Sequence, residues 1–389
     1  MLLLVAFVAA CGGRANTSTL PSAPPIDPAD DLAAARSDAP KADPGDSSLT
    51  AKDPRVVDLD IIKIRANGPP GSDSMTSVAS ADLFTMATQA AKEGRTDSAI
   101  QQYRQLIHEF SESLYAPIAL FNIAAIYDGR GDLSQTIATL RELVQTYPQS
   151  RESIEGHLFI VALHADKKQW ADALSTVDEV LARQNLTYAD RIEAYARRGY
   201  VLLEQKQFDA ADTALASAIT EWRKAPRIED PYYIAMAHYY RGELLHQKFL
   251  DLRLRSGDDE MVADLEQKRV LAVQAYDRWR ESLAFKHAYW ATASGYQMSQ
   301  IFVELWEAHV KAPYPKRVEP SARTTYVAEV HERVKEHLAK ALEGHRMNVE
   351  LAKAYGVDTA WSKGSEVRAV QILELIAKES AGNYTMPPS

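Results

Sequence analysis

The residues best equipped for chemistry in this sequence are a single cysteine, Cys11, and ten histidines (108, 157, 164, 238, 246, 287, 309, 331, 337 and 345). A zinc site needs ligands that converge, and a helix supplies them most simply as His-Glu-x-x-His, which turns two imidazoles to one face. That spacing does not occur. His238 and His246 stand eight apart and could share a helix face, but no carboxylate pattern completes a metal site around them. His331 and Glu332 read as part of a solvated helix face. The segment GPPGSDS (68–74) lacks the Gly-Lys-Ser/Thr ending of a phosphate-binding loop, and no Gly-x-Ser-x-Gly elbow presents a serine nucleophile. A lone cysteine forms neither an internal disulfide nor a thiolate cluster. The expectation is a protein that is not an enzyme, with no catalytic residues, no metal and no cofactor.

Cys11 has a different chemistry open to it. It follows the apolar run Leu2–Ala10, about half the length a membrane-spanning helix needs. The run fits the core of a secretion signal, with Ala9 and Ala10 as the small residues before a cleavage point. Val8-Ala9-Ala10-Cys11 resembles the lipobox of bacterial lipoproteins. In that family the cysteine is lipidated and the signal is cut so that it becomes the first residue. Buried acyl chains contribute about 0.8 kcal/mol per CH₂, enough for several chains to hold a protein at a bilayer. The resemblance implies a signal peptide over 1–10 and a lipid anchor at Cys11. Gly12 after the cysteine implies outer-membrane sorting, facing the periplasm of a Gram-negative cell. One feature departs from the pattern: no Lys or Arg precedes the apolar run.

The elements that must position everything else begin far from this end. Nine of the 18 prolines fall in residues 21–70, while Phe7 is the only aromatic before Phe84. So few large apolar groups cannot offset the roughly 1–2 kcal/mol per residue that ordering a backbone costs. Residues 11–80 therefore read as a long disordered tether. Within it RVVDLDIIKI (55–64) alternates apolar and polar residues, a candidate strand that packs on the body or adds to a partner's sheet edge. The 44 Lys and Arg are interspersed with 53 Asp and Glu for a net charge of −9, which offers no basic face to nucleic acid.

From Ala81 the apolar period becomes that of a helix, and the sequence repeats itself. GRTDSAIQQYRQLIHEFSES (94–113), GDLSQTIATLRELVQTYPQS (131–150), KQWADALSTVDEVLARQ (168–184) and KQFDAADTALASAITEW (206–222) align with Ala99, Thr136, Ala173 and Ala211 in register, at intervals of 37, 37 and 38. A second helical stretch precedes each, at 81–93, 116–129, 153–166 and 189–204, with Ala87, Ala124, Val161 and Gly199 at matching places. Small residues on both helices let the backbones approach, so each unit is an antiparallel hairpin that must stack on its neighbours to bury its apolar face. The pattern resembles the tetratricopeptide (TPR) repeat in Tyr127, in Ala99, Ala173 and Ala211, in Tyr103, Leu140, Val177 and Leu215 one turn later, and in Pro148. The period is longer than the usual 34, no Trp opens a first helix, Thr136 replaces an alanine, and His164 stands where Tyr127 does. The phrases HEFSES and QTYPQS are similar to repeats of the outer-membrane assembly lipoprotein BamD and of Tol-associated periplasmic TPR proteins.

The resemblance implies an all-α, TPR-like solenoid with four repeats over 81–225. It also implies that the first helices line a groove for a partner, made by Phe84, Thr88, Phe121, Ala125, Asp128, Leu158, Ala162, Ala196, Tyr200 and Leu203. That lining is apolar and suits a hydrophobic segment or helix of another protein. Residues 226–389 read as elongated hairpins that continue and cap the array, with helices near 232–252, 261–284, 286–310, 321–354 and 362–379 and Gly242 at the small site. Their aromatics, among them Tyr289, Trp290 and Trp306, are either core or a stacking platform for a glycan. The function expected is a lipid-anchored TPR scaffold that binds envelope proteins for assembly of an outer-membrane or envelope-spanning machine. The alternatives are a SusD-like glycan-binding lipoprotein and a cytoplasmic TPR adaptor with a misplaced start.

Overall fold

The computed structural model describes residues 62–66, 75–255 and 257–387, with side chains from Ala79 onward. The expected signal peptide, Cys11 and most of the tether lie outside the described residues, as does the 55–61 part of the candidate strand. Ile62–Ala66 form β1, which runs antiparallel to β2 (Met75–Ala79) with Ile62 opposite Ala79 and Ala66 opposite Met75. β2 leads directly into the first helix.

The rest is all-α and built of antiparallel hairpins: α1 (Ser80–Lys92), α2 (Thr96–Glu109), α3 (Tyr115–Gly129), α4 (Leu133–Thr146), α5 (Arg151–Asp166), α6 (Trp170–Leu181), α7 (Tyr188–Glu204) and α8 (Phe208–Lys224). Longer helices follow: α9 (Tyr232–Asp251), α10 (Asp258–Ala284), α11 (Ala288–Val310), α12 (Arg323–Tyr355) and α13 (Ala360–Ser380). The chain divides into two compact units at Leu186/Thr187. The sequence period places its boundary near 225, whereas here the fourth hairpin belongs to the C-terminal unit. The reason is packing, since α7 and α8 both lie against α9.

The repeat positions read from the sequence are the contact points of the hairpins. Ala87, Ala124, Ala99, Thr136, Ala173, Ala211, Leu140, Val177 and Leu215 are all fully buried, and Tyr103 and Val161 nearly so. Thr136 replaces alanine without stranding its hydroxyl, which donates to the Asp132 carbonyl one turn back at 2.8 Å. In the N-terminal unit α1 touches α3 and α3 touches α5, the contact between successive first helices that makes a solenoid.

Each hairpin turns at a left-handed residue. Gly94, Gly131, Lys168 and Lys206 have φ of 75°, 72°, 56° and 59° and recur at the same intervals as the buried repeat positions. The amide after each bonds back across the helix end: Arg95 to Ala90 O, Asp132 to Tyr127 O, Gln169 to His164 O and Gln207 to Leu202 O, at 2.8–3.0 Å. Side chains cap several starts. Asp132 accepts from the Gln135 amide, Ser150 from Ser153, and Thr187 forms a reciprocal box with Asp190.

Close approach is most demanding in the C-terminal unit. A Cβ on Gly242 would lie 2.4 Å from Nε1 of Trp279, so α9 and α10 meet with an indole directly over a bare backbone. Gly199 carries Leu215 in the same way in the fourth hairpin.

Candidate interaction surface

In the N-terminal unit the first helices α1, α3 and α5 carry the side chains expected to meet a partner. Phe84 is half-buried and stacks on Tyr115 with centroids 4.9 Å apart, and it tilts against Tyr103 at 5.7 Å. Below this pair lies a polar trio. Thr88 Oγ1 and Tyr103 OH are 2.9 Å apart, and Asn122 Nδ2 donates to the same hydroxyl at 3.1 Å. Burial raises the Tyr103 phenol above its usual range against the lowering effect of both bonds, so it stays a neutral partner that holds the Asn122 amide in place. Phe121 is half-buried and faces Phe159 across α3 and α5 at 6.4 Å. Such aromatics supply large contact area at small entropic cost, and a fixed amide supplies a main-chain hydrogen-bond partner.

The structure separates the expected groove residues into two groups. Phe84, Thr88, Phe121, Ala125 and Asp128 are partly exposed. Leu158, Ala162, Ala196, Tyr200 and Leu203 are 0–7% exposed. Tyr200, on α7 of the C-terminal unit, packs against Tyr240 at 4.8 Å. Asn122 and Tyr115 were not among the expected residues. A lone amide amid apolar positions of a first helix was the signal available for Asn122.

The C-terminal aromatics sit in the core. Trp290 and Trp306 are each 2% exposed, and Trp290 packs among Tyr232, Tyr239, Tyr240 and Tyr289, so neither indole presents a face to a glycan. Tyr289 keeps partial exposure.

His238, His246 and His331 are held by carboxylates. His238 Nδ1 bonds Glu281 at 2.8 Å, and His246 Nε2 bonds Glu304 at 2.6 Å. The two histidines are therefore committed separately to α10 and α11. Among the described residues, no three His, Cys, Asp or Glu side chains are grouped to hold a metal ion. His331 is not on a solvated face: it is 1% exposed, bonded to Glu379 at 2.7 Å and to the Thr385 carbonyl at 3.1 Å. Residues after α13 fold back to cover it, an arrangement helical periodicity does not report.

Around His246 the unit buries further charge. Lys268 Nζ donates to the Phe249 carbonyl at 2.5 Å, and Gln300 donates to Glu304 at 3.1 Å. Glu243 Oε1 has no hydrogen-bond partner among the described residues. Burial raises the Glu243 carboxyl to about 7. Burial also opposes the charge on His246, but the Glu304 carboxylate outweighs it and raises the imidazole to about 9. These groups brace α9 against α10 and α11 from within the core.

The tetratricopeptide repeat-like domain family matches residues 72–229. That stretch is similar to a tetratricopeptide repeat-like domain. Over 109 residues the chain is 30% identical to an ancillary SecYEG translocon subunit of Neisseria gonorrhoeae, a match over 28% of this chain and 52% of that protein. The chain thus spans about half the length of the curated relative it matches. Among solved structures, BtubC from P. vanneervenii aligns at a TM-score of 0.42 and 11% identity, over 72% of this chain and 94% of that one. The C-terminal part of a TPR repeat-containing protein from Cytophaga hutchinsonii aligns at 0.40 and 11%, over 78% and 100%. Among the described residues, no helix of the repeat domain or beyond is long and apolar enough to cross a membrane.

Proposed function

We propose that this protein is a non-catalytic, lipid-anchored scaffold of the bacterial cell envelope that holds protein partners on the first helices of its repeat domain. The observation that carries the reading is the half-buried aromatic strip of α1 and α3, Phe84 on Tyr115 and then Phe121, beside the fixed amide of Asn122. Repeat hairpins keep such a strip in one line, and an apolar segment of another protein is the ligand it suits. The similarity to an ancillary SecYEG translocon subunit supports a role beside machinery that handles other proteins. Lipidation of Cys11 is the attachment in this reading, with the outer membrane as its address and an outer-membrane or envelope-spanning machine as the setting.

The test is site-specific photo-crosslinking in intact cells. A photoreactive phenylalanine at Phe84 or Phe121 is expected to trap one defined set of proteins that Gln145, exposed on second helix α4, does not. Identical adducts from all three positions, or none from the first two, would refute the surface. The anchor is tested separately, because Cys11→Ser should release the protein from membranes. A wild type without lipid whose variant stays bound defeats it.

A further inference from the structure

The last helix carries an unused face with a definite pattern. α13 packs on α11 and α12 through Trp361, Ser365 and Ile372, which are all buried. On its opposite side Ala360, Lys363, Val367, Val370, Glu374 and Ala377 follow at steps of 3, 4, 3, 4 and 3, and all six are exposed. This is the spacing of a coiled-coil seam, and over so short a helix the drift from a straight period is small. Val367 and Val370 are each 59% exposed. Of the ten large apolar side chains exposed among the described residues, five (Met347, Tyr355, Val367, Val370 and Leu373) belong to α12 and α13. One of them, Met347, lines a separate groove of about 620 Å³ with Leu342, Leu351 and Ile376. Exposed apolar side chains set in a regular row on one helix face mark an interface.

The order of residues along the seam says what covers it. We propose that a second copy of this chain does, with α13 lying antiparallel on α13 of the other copy about a two-fold axis between Arg368 and Ala369. Each Val367 then meets Val370 of the second copy, giving two apolar layers at the centre. Lys363 meets Glu374 of the second copy on either side, and Ala360 meets Ala377 at the ends, where small side chains let the helices close. A parallel pairing would instead set Lys363 on Lys363 and Glu374 on Glu374, so charge selects the antiparallel one. In the single chain Lys363 pairs with Asp358 at 2.9 Å, but the two side chains are 65% and 71% exposed, and such a pair is exchanged at little cost. The interface is isologous and closes at two copies, which gives each assembly two sets of the first-helix surface.

The experiment is sedimentation equilibrium of the full chain carrying Cys11→Ser, so that no acyl chain drives association. A monomer–dimer equilibrium is expected. Val370→Glu removes an apolar side chain from both central layers and should weaken it by about 100-fold or more. Lys363→Glu should also weaken it by placing like charges together, and Lys363→Glu with Glu374→Lys should restore it. Circular dichroism of each variant should match the parent, since all these side chains are exposed. Three results overturn the proposal: a monomer at all concentrations, a dimer indifferent to Val370→Glu, or a double exchange that fails to rescue.

Discussion

The N-terminal and C-terminal units build hairpins on one plan with different materials. In the first, helices of 12–16 residues meet through alanine, leucine and tyrosine at regular places. In the second, helices of up to 33 residues bury indoles, a bare glycine backbone and ionisable groups between them. Small side chains tolerate repetition because every copy presents the same surface. Large rings and buried charges each need a partner of matching shape or sign, which ends the repetition and makes every contact individual.

The sharpest way to break this contrast is to empty one contact in the C-terminal unit. Trp279 is fully buried over Gly242, and Trp279→Ala should cost about 3–5 kcal/mol in urea unfolding. Intrinsic fluorescence reports chiefly on this unit, which holds five of the six tryptophans. A loss below about 1 kcal/mol would show that the ring is replaceable, as a repeat residue is.

Titration gives the next effect. His246 is raised to about 9, so its stabilising charge is fully present below its ordinary 6.5 and is lost as pH rises through 9. Glu243 is raised to about 7 and acts with the same sign, its contribution present below 4.5 and lost by 7. The C-terminal unit should therefore weaken between pH 6.5 and 9 by something of the order of 3 kcal/mol. His246→Gln should flatten that limb. Burial, helped by Arg368, lowers His345 to about 3; this offsets the Glu243 gain between pH 6.5 and 4.5, so the same unit should weaken on the acid side as pH falls below 4.5. In the N-terminal unit burial lowers His157, which gives that unit an acid limb. A flat alkaline limb in the parent would contradict the buried pair.

Smaller still is the comparison of two helical glycines. Gly242→Ala drives a methyl into the Trp279 ring and should cost about 1–3 kcal/mol, whereas at Gly156 the nearest atom is the Leu143 methyl at 3.2 Å, the mobile end of a side chain. Gly156→Ala should be close to neutral, because helix propensity offsets the crowding. Equal costs would erase the difference between the units.

The least effect belongs to the turns. Lys168 and Lys206 occupy left-handed positions where the first two repeats have glycine. Lys168→Gly and Lys206→Gly should each raise stability by about 1 kcal/mol in thermal unfolding. No change would mean that the lysine side chains stabilise the turn in another way.

How legible all this was follows the same division. Register, hairpin order and the small sites at Ala87, Ala124, Val161 and Gly199 stood in the sequence because a period repeats its own evidence. Phe84 and Phe121 were named from the resemblance to the repeat, and Asn122 was not, because the tyrosine that holds its amide lies on another helix. The pairing of His246 with Glu304, 58 residues away, and the covering of His331 by the chain after α13 depend on where distant segments end up. The fourth hairpin joined the C-terminal unit for the same reason: periodicity marks what is alike, not what is adjacent.

The indole of Trp279 resting on Gly242 makes two positions in different helices answer to one volume. Neither can enlarge alone, yet a smaller ring at 279 would free room for a methyl at 242. Across related chains these sites are expected to co-vary, and Trp279→Phe should lessen the harm of Gly242→Ala.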